Sequence, residues 1–189
     1  MKQYFRIGFY FVLILGFAVS AHTQAAASGK INLAKIFKEP GFGYTIDLPP
    51  DWVYDIQPGK TIVFSGPSGT KAWFSTVSIQ NLRSVKSGGK YADVNALINE
   101  FKAQLRAAGD TKFSDEEIVY YRKNNTSLQG KQFMAEYTTD KTRFKQWLII
   151  IPRSNGDLFH AWFYTSPINQ YNDFLDIAKA MLDSWMLIE

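Results

Sequence analysis

A chain of 189 residues without cysteine forms no disulfide, thiolate zinc site, iron–sulfur cluster or thiol nucleophile, and is not lipidated at a leader cysteine. Hydrophobic residues make up 46% of it, with 15 Phe, 10 Tyr and 5 Trp, enough to build a core without metal or disulfide support. The formal charge is +4, and without Lys2 and Arg6 near the N-terminus the excess is only +2, which argues against a nucleic-acid protein.

The chain opens like a cleavable export signal. Lys2 and Arg6 supply the positive start, Ile7 to Val19 is almost wholly apolar, and Val19-Ser20-Ala21 suits cleavage before His22. The apolar run is shorter than the roughly 20 residues of a membrane-spanning helix, so attachment to a membrane would require Tyr4 to Ala21 to stay uncleaved. The expected location is periplasmic or secreted. Residues 22–39 read as a flexible segment, in which Leu33, Ile36 and Phe37 stand at helical spacing, and the folded domain is expected to occupy residues 40–189.

Strands are predicted where apolar and polar residues alternate: Tyr44 to Leu48, Trp52 to Ile56, Thr61 to Ser65 and Ala72 to Leu82. Asp93 caps a predicted helix through Ala108, with Val94, Leu97, Ile98, Phe101 and Leu105 on one face and Gly109 as its stop. After a mobile-looking acidic stretch, Asp110 to Glu117, strands return at Ile118 to Arg122, Lys131 to Thr138, Phe144 to Pro152 and Asp157 to Thr165. Asn155-Gly156 joins the last two as a hairpin. Ser166-Pro167 reads as the opening of a final helix whose stripe runs from Tyr171 to Trp185. The pattern defines an α+β domain, an αβα sandwich with a central antiparallel sheet flanked by helices.

Reactive chemistry is sparse. His22 lies at the cleavage point, so His160 is the one imidazole expected in the domain, and it shares a strand face with Leu158, Trp162 and Tyr164. A lone histidine without a nucleophile makes no triad; a hydrolase using His160 and carboxylates is the low-ranked enzymatic alternative. Gly66-Pro67-Ser68-Gly69-Thr70-Lys71 has the spacing of neither a nucleophile elbow nor a phosphate loop. Asp115-Glu116-Glu117 and the pair Asp173 and Asp176 lack calcium-loop spacing, so no metal or cofactor is expected. Arg83, Lys86 and Lys90 around Gly88-Gly89 form a candidate partner-contact loop. Trp147, Trp162, Trp185 and Phe174 either fill the space between sheet and helix or line a pocket for a small apolar ligand.

Phe42 to Trp52, with Pro49 and Trp52 at a Pro-x-x-Trp corner, resembles the opening of the PsbP-like superfamily. Thr61 to Pro67 is similar to its next hairpin, and Tyr164 to Pro167 followed by Leu182 to Trp185 is similar to its closing segment. The resemblance implies an αβα sandwich and a binding or accessory role without shared catalytic residues, and Pro49 and Trp52 carry over as fold markers. The expected function is therefore an exported, non-catalytic module acting through a protein partner in the cell envelope or outside the cell. The alternative is a carrier or sensor of a small apolar ligand.

Overall fold

A computed structural model describes residues 31–188, apart from Pro40 and Lys60. The proposed leader and the lead-in through Lys30 lie outside the described residues. In chain order the elements are β1 (Lys35–Glu39), β2 (Tyr44–Leu48), β3 (Val53–Gln57), β4 (Thr61–Ser65), β5 (Thr76–Arg83), α1 (Val94–Ala108), β6 (Thr111–Phe113), β7 (Glu117–Lys123), β8 (Thr126–Thr139), β9 (Thr142–Pro152), β10 (Leu158–Pro167), α2 (Tyr171–Ser184) and β11 (Met186–Leu187). Short 3-10 helices stand at Lys71–Phe74 and Val85–Ser87.

The principal sheet is antiparallel, in the order β3-β4-β5-β10-β9-β8-β6, with β7 also paired to β8. Its middle strand, β10, is almost continuously buried, as expected of a strand covered on both faces. On one face α1 sets Leu97, Ile98, Phe101 and Leu105 against Phe133, Leu148 and Phe163. On the other, α2 and a small sheet, β1-β2-β11, cover Ile62, Phe64, Val77, Ile79, Trp162 and Tyr164. The result is the predicted layered α+β architecture. Each large side chain buried this way contributes roughly 1.5–3 kcal/mol of transfer free energy.

Four local expectations are corrected. Residues 35–39 form a strand, not a helix or a mobile arm. A helix of so few turns is marginal on its own, whereas pairing from Lys35↔Leu48 to Glu39↔Tyr44 satisfies the backbone and buries Phe37. The stretch after α1 contains β6, held because Phe113 packs edge-on to Phe133 at 5.9 Å. Glu116 from the acidic run pairs with Lys102 at 2.7 Å and Lys131 at 3.0 Å.

Ser166 is no helix cap. It is fully buried on β10, its hydroxyl 2.8 Å from that of Ser75, and a turn closed by Gln170 N–H on the Pro167 carbonyl precedes α2. The expected strand at Ala72 begins only at Thr76, because Lys71–Phe74 winds into a 3-10 helix. The Asp93 cap holds as predicted, its carboxylate accepting from Ala96 N–H at 2.8 Å. After α1, Gly109 passes so near Thr138 that a Cβ would lie 2.4 Å from its carbonyl oxygen.

Candidate interaction surface

The loop carrying Arg83, Lys86 and Lys90 is tied down on several sides. Ser84 accepts from Lys86 N–H at 3.1 Å and donates to the Gly156 carbonyl at 2.7 Å, while Ser87 donates to the carbonyls of Ser84 and Asp157. Gly89 folds back onto Arg83, where a Cβ would lie 1.9 Å from the carbonyl oxygen. The three cations lead in different directions. Arg83 is exposed at the end of β5, Lys86 donates to the Asn155 carbonyl at 3.4 Å, and Lys90 pairs with Glu100 of α1 at 2.9 Å. That pairing raises the Lys90 pKa and lowers that of Glu100.

His160 is a core residue, 1% exposed. Its Nδ1 lies 2.8 Å from Asn81 Oδ1, and its ring stands edge-on to Tyr44 and Trp185, each at 6.2 Å between centroids. Burial, reinforced by the charge of Arg153, holds its pKa down at about 3, so the imidazole is neutral at physiological pH. The ring is thus enclosed in the core rather than set at the surface. Asp173 and Asp176 lie on the exposed side of α2, where Asp176 meets Lys179 at 3.7 Å. Among the described residues no group of three or more His, Asp or Glu is placed to hold a metal ion.

The aromatic side chains fill the interior. Trp162 and Trp185 are fully buried, Trp147 packs edge-on to Trp162 at 5.3 Å, and the Trp147 indole donates to Gln132 at 3.0 Å. These contacts lie between the sheet and α2.

Apolar surface gathers instead at the β3 edge. Register with β4 puts Tyr54 and Ile56 on the face of Phe64 and Ile62, while Val53, Asp55 and Gln57 share the opposite face. Phe64 and Ile62 are buried, yet Tyr54 and Ile56 are 53% and 59% exposed, and Val53 is 44% exposed. The core-facing row of the sheet therefore runs out from under its cover at this edge. Tyr54 is steadied by Phe37 of β1, edge-on at 4.8 Å, and Ile36 beside Phe37 is also exposed. Sequence reading identified the strand but missed the surface. An alternating pattern shows which residues share a face, not which strand lies at the margin of the sheet.

At the opposite margin, β7 is tied into the fold. Tyr121 is buried, and its hydroxyl accepts from Leu187 N–H at 2.7 Å. The Lys123 ammonium caps the C-terminus of α2, donating to the carbonyls of Leu182 at 3.1 Å, Asp183 at 2.5 Å and Trp185 at 2.8 Å. Burial lowers its pKa. Beyond it the β7–β8 hairpin, with Asn124 and Asn125 in the left-handed region, borders an open depression of about 360 Å³.

This arrangement is the α+β fold of PsbP and Mog1, so the resemblance read from Phe42–Trp52 and the closing segment is shown at the level of fold. The cyanobacterial PsbP of Synechocystis aligns at a TM-score of 0.54 and 8% identity, over 87% of this chain and 98% of its own. The Ran-binding protein Mog1p of Saccharomyces cerevisiae aligns at 0.55 and 12%, over 85% and 97%. A Bacteroides thetaiotaomicron protein aligns at 0.54 and 12% over 84% of this chain, which spans only 50% of that protein's length. No family model and no curated protein sequence matches the chain.

Proposed function

We propose that this protein is an exported, non-catalytic accessory module that binds a protein partner through the β3 edge. The observation that carries the reading is the exposed pair Tyr54 and Ile56 on the only partly covered core-facing row of a sheet margin, with exposed Val53 on the opposite face of the same strand. Exposed apolar side chains of this kind supply binding energy once a partner excludes water from them. The Ran-binding description of Mog1p supports the use of this fold for protein association. The leader-like N-terminus supports export, with a cell-envelope or extracellular partner.

Two experiments test it. N-terminal sequencing of the exported protein is expected to begin at His22; a start at Met1 in a soluble cytoplasmic form would refute export. Cross-linking in the native envelope, followed by capture of the tagged protein, is expected to yield a reproducible partner that a Tyr54→Ala/Ile56→Ala variant loses. Charge reversal at Arg83, Lys86 and Lys90 is expected to leave that partner bound. The reverse result would move the site to the 83–90 loop.

A further inference from the structure

Building on that reading, we propose how the partner docks: as an extended segment adding a strand to the free edge of β3, with a basic residue facing Asp55 between two apolar residues facing Tyr54 and Ile56. Within the described residues β3 has a single backbone neighbour, β4, so its outward N–H and C=O groups are left for a further strand. Five residues give an edge about 17 Å long. The turn closed by Trp52 N–H on the Pro49 carbonyl and the Pro58-Gly59 turn bound it.

The charge at this edge selects the occupant. Asp51 and Asp55 are exposed, and neither belongs to an ion pair among the described residues. The one hydrogen bond there to Asp55 comes from the neutral Gln57 amide, and Lys35 of β1 directs its ammonium to the Trp52 carbonyl at 3.0 Å. A second copy of this chain is a poor occupant. Full-length antiparallel pairing of β3 with itself centres on Asp55 and sets two carboxylates directly opposite each other, an arrangement that destabilises a ladder. Asp55 thus guards the edge against self-association, and a Lys or Arg on an incoming strand turns the same carboxylate into an attraction.

The test uses two blocked heptapeptides, Thr-Thr-Val-Lys-Val-Thr-Thr and its counterpart with Glu replacing Lys, titrated into the 15N-labelled protein. Amide shifts confined to β3 and β4, with the Lys peptide binding at least about fivefold tighter, are expected from opposite-charge against like-charge cross-strand pairs. Asp55→Lys should invert that preference. Equal binding of the two peptides, shifts centred elsewhere, or no shift with either peptide overturns strand addition. Partner capture separates this failure from failure of the surface itself. If Tyr54→Ala/Ile56→Ala abolishes capture while Asp55→Lys spares it, the surface binds by side-chain packing and strand addition is wrong. If neither variant alters capture, both ideas fall.

Discussion

The two margins of the principal sheet are built from similar residues and meet different fates. Both β3 and β7 carry aromatic and aliphatic side chains, with one charged residue in β3 and three in β7, and both have a single strand neighbour among the described residues. At β7 the inward row is captured: Tyr121 packs edge-on to Trp185 at 6.2 Å and holds Leu187, and Lys123 caps α2. The outward Tyr120 is covered on one side by the Arg122 guanidinium at 4.8 Å. At β3 no side chain is buried, and the inward row ends in solvent. A margin serves stability when a later segment of chain comes back to cover it and is free for binding when none does. Here the C-terminal segment, α2 with β11, returns to β7.

That contrast can be broken by mutation. Tyr121→Ala removes a buried ring and the acceptor of Leu187 N–H, and is expected to cost about 3–4 kcal/mol in urea unfolding. A cost below about 1 kcal/mol would mean that β7 is no better anchored than β3.

Acid probes the centre between the margins. His160 has a folded pKa near 3, below its unfolded value near 6.5, so the unfolded chain binds the extra proton between those values. Stability is full above about pH 6.5 and falls as pH drops toward 3. By pH 5 the loss relative to full stability is expected to be about 2 kcal/mol, and His160→Gln should flatten that limb of the profile. An unchanged slope in the variant would show that other groups carry it.

Lys123→Met keeps much of the side-chain volume but withdraws three charge-assisted hydrogen bonds from the end of α2. The exposed part of that site tempers the effect, and about 1–2 kcal/mol is expected, with faster amide exchange at Met186 and Leu187. The smallest stability change belongs to β3. Tyr54→Ala/Ile56→Ala should shift unfolding by no more than about 1 kcal/mol, because both side chains already face water. A loss of several kcal/mol would mark this edge as structural and remove the ground for a docking surface.

Periodicity made the layered fold legible. The alternations at Tyr44–Leu48 and Thr61–Ser65, the Asp93-capped helix and the Asn155-Gly156 hairpin are short-range patterns that the chain satisfies locally. Where two local preferences competed, long-range pairing decided. Residues 35–39 took the strand because β2 supplied a backbone partner, and Ser166 stayed in β10 because Ser75, 91 positions away in the chain, supplied a buried hydrogen bond.

The candidate site was less legible for the same reason. Charge composition drew attention to Arg83, Lys86 and Lys90, but Glu100, on the following helix, and Asn155, 69 positions away in the chain, engage the two lysines. The apolar residues of β3 look in sequence like those of any half-buried strand. Composition and periodicity determined which residues need burial and which local element each can form, because these follow from side-chain polarity and backbone preference. Only tertiary structure decided which of them would be covered, because cover depends on strand order and on where the C-terminal segment returns: it reached β7 and left β3 open.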